Sequence, residues 1–166
     1  MQTDLADPVR VPGDRCVAFV VAPGLTPLAL PPSTLVEALM DPVDCPLPGA
    51  PPALRRIVAL RGALLPLFDL AAWLGLAIVP RPRVLAIGRG DRAAALLAQD
   101  EPRVVEVHDD PAAPPPPAAL APFVRGGRDA DGAALWRFDH EAWFAVAADP
   151  SHSPAGAALR AAEATP

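Results

Sequence analysis

The stretch that decides the fold is Leu60–Leu76, LRGALLPLFDLAAWLGL. Two apolar runs, IVAL and ALLPLF, lie on either side of Arg61-Gly62. This arrangement is typical of a hairpin, because a glycine supplies the positive φ that a tight turn between strands requires. The pattern therefore predicts a strand, a tight turn and a second strand.

The second half of this stretch predicts how that second strand ends. Pro66 has no N–H to donate, so it should lie at a sheet edge or a bulge. Asp69 is a good N-cap for a short helix that contains Trp73 and Leu74, and Gly75 can end that helix. Strand, cap, helix and stop thus follow one another within a few residues.

Outward from this stretch, many short segments read as strands between turn signals. Strand candidates lie at 16–23, 26–31, 83–88, 93–99, 103–109, 123–127 and 133–140. Residues 53–60 begin irregularly and become a strand at Ile57. Residues 141–147 read as a closing helix. Leu35–Asp41 is compatible with a helical turn or a strand. Short strands with too few helices to cover a parallel sheet predict a mainly β protein, a small barrel or paired barrels.

Composition restricts the partners. The chain has 166 residues, 52% of them hydrophobic, and a formal charge of -5. No basic patch with interleaved aromatic residues is present, so nucleic acid is not an expected partner. The apolar run 16–35 contains four prolines, which argues against membrane insertion. The acidic start MQTDLADPVR is unlike a signal peptide, and we expect a cytoplasmic protein.

Cysteine and histidine give no sign of a metal or cofactor site. Cys16 and Cys45 are too few for a disulfide framework, and we expect both as small buried hydrophobic residues. His108, His140 and His152 lack ligand spacing among themselves or with cysteine. We therefore expect neither metal nor cofactor.

The sequence Asp139-His140-Glu141 is the one cluster that resembles catalytic chemistry. A hydrolase would need a nucleophile with a base beside it, and the serines, Ser33, Ser151 and Ser153, lie outside any nucleophile elbow. A helix cap with two solvated neighbours is the simpler interpretation, and we expect no enzyme. The alternative that stays open is a small-molecule-binding β-barrel, or a hydrolase that uses His140.

The quoted stretch resembles the signature of CheW-like domains, the adaptor modules of bacterial chemosensory arrays. The matching residues are Leu60, Arg61, Gly62, Pro66, Asp69, Leu70, Leu74 and Gly75. The similarity extends over about 16–147, with Glu37 upstream. Arg56 and Ala59 depart from it, since the family usually has Gly and often Asn there. We therefore expect a flexible N-terminus at 1–14, a CheW-like domain of two β-subdomains at 15–148, and a tail at 149–166.

The resemblance implies two small interlocked five-stranded β-barrels of SH3-like type, with two or three short helices and a groove between the barrels. It implies a non-catalytic adaptor that binds the cytoplasmic tip of methyl-accepting chemoreceptors and the regulatory domain of a CheA-type histidine kinase, at membrane receptor arrays. The output would be chemotaxis or twitching by type IV pili. The implied interaction residues are Glu37, Leu60, Arg61, Gly62, Pro66 and Asp69. A third possibility is a module whose interaction surface has decayed, because Arg56 and Ala59 depart from the family pattern.

Overall fold

The computed structural model describes residues 12–77, 80–149 and 152. The expected flexible start, up to residue 11, and nearly all of the expected tail lie outside the described residues. The strands are β1 Asp14–Phe19, β2 Leu28–Ala29, β3 Val36–Leu39, β4 Asp44–Pro46, β5 Leu54–Leu60, β6 Ala63–Phe68, β7 Arg83–Ile87, β8 Ala94–Ala98, β9 Arg103–Asp109, β10 Val124–Asp129 and β11 Ala134–Phe138. The α-helices are α1 Leu70–Trp73 and α2 His140–Ala147.

These strands form two units, which confirms the predicted mainly β class. The two ends of the described chain build a closed barrel in the order β1-β2-β11-β10-β9, and the middle builds a six-stranded sheet in the order β3-β7-β8-β6-β5-β4. The sheet unit is therefore inserted between the second and third strands of the barrel.

The sheet unit has one strand more than the five expected. The additional strand is the short β4, which lies in a segment that the prolines predict as loop. Asp44, Cys45 and Pro46 nevertheless pair with β5 in antiparallel register. In this triplet only the proline lacks an N–H, so the other residues can still donate to a neighbouring strand.

The sheet is strongly curved. Glu37 on β3 contacts Arg61 in the β5–β6 turn at 2.8 Å, although β7 and β8 lie between β3 and β6 in the sheet order. In a flat sheet these strands would be about 14 Å apart, since neighbouring strands are spaced by about 4.8 Å. Leu39 and Leu60 also pack against the same apolar cluster inside the curve.

Strand alternation produces an inner and an outer face on the sheet. On β7, Val84 and Ala86 face the inner cluster, whereas Leu85 and Ile87 face the core shared with the barrel. Successive side chains of a strand point to opposite faces, so a sheet that is buried on both faces needs nearly continuous apolar runs. The run VLAI in the sequence supplies this pattern.

Aromatic residues of both units meet in the shared core. Trp143 of α2 makes edge or tilted ring contacts with Phe68 of the sheet, Trp73 of α1 and Phe138 of the barrel, at centroid distances of 5.6, 5.7 and 5.9 Å. Each of these four residues is at most 3% exposed. One helix therefore connects the two units.

Some local predictions were confirmed and others were wrong. Leu35–Asp41, left open between helix and strand, contains strand β3. The irregular start of β5 is a register shift between Leu54 and Arg56. Cys45, expected to be buried, is exposed, whereas Cys16 is buried and both are free thiols. Cys45 faces outward because the outer face of β4 has no covering element in the described structure.

Candidate protein-interaction surface

The β5–β6 turn displays Arg61. Leu60 pairs with Ala63, so Arg61 and Gly62 form a two-residue loop, with φ values of 49° and 82°. Positive φ at both positions is the geometry of a type I′ turn, which favours Asn, Asp or Gly at the first position. A long side chain in the left-handed region costs about 1 kcal/mol. The sequence therefore places an arginine where turn geometry disfavours it.

The side chain of Arg61 is held in place without being buried. Its Nη2 donates to Oε1 of Glu37 at 2.8 Å, while the side chains of Arg61 and Glu37 are 75% and 36% exposed. An ion pair this exposed adds at most about 1 kcal/mol to stability. The contact therefore orients the guanidinium more than it stabilises the fold.

We expect Arg61→Gly to leave the free energy of unfolding within about 0.5 kcal/mol of the original value. Glycine relieves the positive φ at position 61, which offsets the loss of the exposed pair with Glu37. Urea unfolding measures the change, with Gly62→Ala as the opposite control, because it places a Cβ at a φ of 82° and should cost about 1 kcal/mol or more. A loss above about 1.5 kcal/mol for Arg61→Gly would show that Arg61 serves the fold.

Beside this turn, an apolar patch covers the outer face of three strands. Ala59 pairs with Leu64, and the N–H of Ala59 donates to the carbonyl oxygen of Val43 at 3.1 Å. Residues opposite each other across antiparallel strands share a face. Val43, Ala59 and Leu64 therefore form one row, in which Val43 is 78% and Leu64 72% exposed.

A second row lies directly beside the first. Cys45 pairs with Ile57, and Ile57 pairs with Pro66. Each of these residues is two positions along its strand from a member of the first row, so both rows are on the same face. We call the two rows together the docking face: Val43, Cys45, Ile57, Ala59, Leu64 and Pro66.

Pro66 lies where the sequence predicts a proline to be tolerated. β6 pairs with β5 along its whole length but with β8 only from Leu67 onward. At Pro66 the strand therefore has a neighbour on one side, and the missing N–H need not leave a partner strand unsatisfied. This confirms the expected edge position.

An apolar groove of about 390 Å³ begins at the same proline and runs between the two units. Pro66 and Phe68 of β6 and Phe144 of α2 line this groove, and the stacked rings of Phe68 and Phe144, 4.8 Å apart, form its floor. Asp91, Arg92 and Glu141 contribute charges to its lining. We call this the inter-unit groove, and Pro66 connects it to the docking face.

The Asp139-His140-Glu141 cluster has the structure of a helix start. Oδ1 of Asp139 accepts from the N–H of Ala142 at 3.0 Å, as an N-cap does. The expected solvated position of His140 was wrong: it is 7% exposed, because its ring packs edge-on against Phe144. Burial lowers the pKa of His140 from its usual value, against smaller opposing effects of Glu141 and Asp139.

Within the described ranges, no cluster of acidic, histidine and cysteine side chains has the arrangement of a metal site.

The lowered pKa of His140 predicts that stability falls in mild acid. In the unfolded chain His140 takes up a proton near pH 6.5, whereas in the folded protein it stays neutral to lower pH. Well above pH 6.5, the protonation of His140 therefore does not change the free energy of unfolding. As the pH falls below 6.5, the free energy of unfolding decreases by at most about 1.4 kcal/mol per pH unit. Urea unfolding at pH 7.5 and 5.5 should show a smaller decrease for His140→Gln. Equal decreases would contradict the prediction.

Comparison with known proteins assigns the chain to a family. The sequence profile of the CheW-like domain matches residues 15–147. The chain belongs to the CheW-like domain family. The crystal structure of the scaffolding protein TtCheW from Thermoanaerobacter tengcongensis has a similar fold, with a TM-score of 0.59 and 20% sequence identity, covering 77% of this chain and 89% of that chain. A search of curated proteins returned no match.

Membership of the CheW-like family and the similar fold of TtCheW confirm the expected fold, and the family supports a non-catalytic scaffold with an adaptor role in chemotaxis. Proteins of this family interact with receptors and CheA in general. Among the helices of the described residues, none has the length and apolar character needed to cross a membrane.

The residues expected at the site of this CheW-like protein divide into two groups. Arg61 and Glu37 are in contact, and Gly62 and Leu60 build the turn that displays them. Asp69 instead uses its carboxylate to cap α1, accepting from the N–H of Ala72 at 2.8 Å.

The docking face also contains residues that the sequence did not single out, above all Val43, Ile57 and Leu64. Alternation within IVAL and ALLPLF was the available signal. That signal does not say which face of the hairpin is covered by the rest of the protein.

Arg56, a departure from the family pattern, faces away from the docking face. Its Nη2 makes an ion pair with Oδ1 of Asp44 on the neighbouring strand. The hydrogen bond that Arg56 donates to Asp44 raises the pKa of Arg56 above its usual value. Ile57 and Ala59 point to the docking face, and Arg56, between Ile57 and the register shift, points to the opposite side. The larger side chain is therefore accommodated without interrupting the apolar rows.

Proposed function

We propose that this protein couples chemoreceptors to a CheA-type histidine kinase, as a non-catalytic adaptor at membrane receptor arrays that control chemotaxis or type IV pilus twitching. The observation that carries the proposal is the exposed apolar docking face beside the oriented guanidinium of Arg61. A contiguous exposed apolar patch on a soluble domain is typical of a protein-interaction site. Family membership gives the class of partner.

We assign the docking face to the regulatory domain of the kinase. The face is a surface of adjacent strands, and it extends over β4, β5 and β6 with side chains of moderate size. Such a surface suits another folded domain better than a single helix. Leu64 and Val43, the most exposed members of the face, would be the residues that lose most contact with water on binding.

We assign the inter-unit groove to the helical hairpin at the receptor tip. An amphipathic helix binds by placing its apolar side chains in a groove, with polar contacts at the edges. The stacked rings of Phe68 and Phe144 supply the apolar floor, and Arg92 and Glu141 supply charges at the rim, where they lie 3.7 Å apart. Because Pro66 belongs to both surfaces, the two partners would bind side by side.

Arg61 and Glu37 would set the orientation of the docked kinase domain. A guanidinium that donates one hydrogen bond to a carboxylate keeps four of its five N–H groups for a partner. Because the contact already orients it, it loses little conformational entropy on binding. Each interface is expected to be small, at or below about 1,200 Å². Repetition of the contacts in an array would then supply strength through multivalency.

We expect Arg61→Glu to weaken binding to the isolated regulatory domain of the cognate kinase by at least tenfold. The substitution removes the oriented donor and places a second carboxylate beside Glu37, so both the geometry and the sign of the local charge change. Calorimetry or surface plasmon resonance gives the dissociation constant.

The matched control is Arg89→Glu, another exposed arginine in a turn, for which no partner is found among the described residues. This control makes the same change of net charge and should bind like the original protein. Equal weakening by both variants would mean that only overall charge matters. If the unaltered protein bound neither the kinase domain nor a receptor cytoplasmic fragment, the adaptor proposal would be wrong.

A further inference from the structure

A second concave site lies on the barrel, away from the docking face. It is a cleft of about 580 Å³, formed where the segment after β2, the start of β10 and the start of α2 come together. Pro31, Pro32 and Phe123 contribute an apolar wall, and Arg125 and His140 lie among its polar lining residues. A cleft of this size is typical of small-molecule sites, and six of its fourteen lining residues are polar or charged.

Arg125 is the cation of this cleft that the protein itself leaves unused. It lies directly opposite Arg137 across β10 and β11, an arrangement of like charges that costs stability. Arg137 is neutralised, because its Nη1 and Nε lie 2.8 and 2.7 Å from carboxylate oxygens of Asp14 and Asp109. Arg125 is exposed and has no ion-pair partner among the described residues.

The start of α2 adds further donors on the same cleft. Asp139 satisfies the N–H groups of Ala142 and Trp143 with its side chain and its carbonyl oxygen. The N–H groups of His140 and Glu141 have no such partner in the described structure. The first N–H groups of a helix attract negative charge.

His140 provides an independent sign that something is missing from the cleft. The residue is only 7% exposed, yet its Nδ1 is buried without a hydrogen-bond partner within the described residues. A buried polar atom that lacks a partner destabilises the folded protein, because it loses its hydrogen bond to water. A rotation of the His140 ring toward the cleft would let a ligand oxygen give this atom, which is inaccessible as it stands, the partner that the protein does not.

We propose that this cleft binds a small monocarboxylate with an apolar body. The carboxylate would be held by Arg125 and the free N–H groups at the start of α2, with His140 Nδ1 as a further donor, and the body would pack on Pro31, Pro32 and Phe123. The carboxylates of Asp139 and Glu141 line the same cleft, so a dianion such as phosphate is disfavoured. The site does not depend on the adaptor function.

The test uses the full chain labelled with ¹⁵N and phenylacetate as the probe. Saturable shifts of the amide signals of His140 and Glu141 are expected at millimolar concentrations. Phenylacetamide, which keeps the ring and lacks the charge, should bind at least tenfold more weakly, because hydrogen bonds to a charged group are worth about 1.5–3 kcal/mol. Inorganic phosphate should cause no saturable shift.

Two arginine variants decide whether Arg125 holds the carboxylate. Arg125→Ala should weaken phenylacetate binding by about tenfold and leave the fold intact, since it removes one of two opposed like charges. Arg128→Ala, on the same strand and likewise exposed, should bind phenylacetate as the original protein does. Absence of saturable shifts, equal binding of phenylacetamide or phosphate, or equal effects of the two variants would each overturn the proposal.

Discussion

Trp143→Ala is expected to lower the free energy of unfolding by about 3–5 kcal/mol, the usual cost of removing a large aromatic side chain from a packed core. Trp143 is 0% exposed, and its ring contacts Phe68, Trp73 and Phe138 across both units. Domains of this size are stable by about 5–15 kcal/mol, so a large part of the total would be lost. Urea unfolding followed by far-UV circular dichroism gives the difference.

Trp143→Phe is the matched control for this loss. The indole Nε1 has no hydrogen-bond partner among the described residues, so phenylalanine removes volume but no hydrogen bond. Its cost should be about 1–2 kcal/mol. A loss below about 1 kcal/mol for Trp143→Ala would mean that α2 does not connect the barrel and the sheet as described.

Leu64→Asp is expected to weaken binding to the kinase regulatory domain by about thirtyfold or more, without a measurable change in stability. Leu64 is 72% exposed near the start of β6, so the fold gains little from it. On the proposed interface it would be buried, and an aspartate there would be a desolvated, unpaired charge. Residues at the centre of an interface typically contribute 2 kcal/mol or more, which corresponds to about thirtyfold in affinity.

Val104→Asp serves as the control for this substitution. Val104 is 63% exposed on β9 of the barrel unit, outside the docking face, and it receives the same charge. It should bind the kinase domain with unchanged affinity, as measured by calorimetry. Similar losses for both variants, or no loss for Leu64→Asp, would move the kinase site away from β4, β5 and β6.

Local features of the fold were predictable because their causes are local. The tight turn at Arg61-Gly62, the cap at Asp69 and the edge position of Pro66 each follow from the chemistry of one or two residues, and the structure has all three. The cap at Asp139 follows in the same way. These features do not depend on which strands become neighbours.

The docking face was not predictable, because it depends on pairing between distant strands. Val43 stands in a proline-rich segment that reads as a loop, and it joins the face only because Ala59 donates to its carbonyl oxygen. The exposure of Cys45 was misjudged for the same reason. Apolar alternation shows that a strand has two faces, and it is the same whether or not another element covers one of them.

The sequence by itself determined the mainly β class, the hairpin that carries Arg61, the helix caps and, through the Leu60–Leu76 signature, the CheW-like family. Only the tertiary structure decided that Glu37 holds Arg61, that the apolar rows stay uncovered, and that Arg125 and His140 face one cleft. The physical reason is the separation along the chain of the residues that interact. Turns and caps depend on residues that are neighbours in sequence, whereas a contact such as that of Glu37 with Arg61 forms only when the curved sheet brings distant segments together.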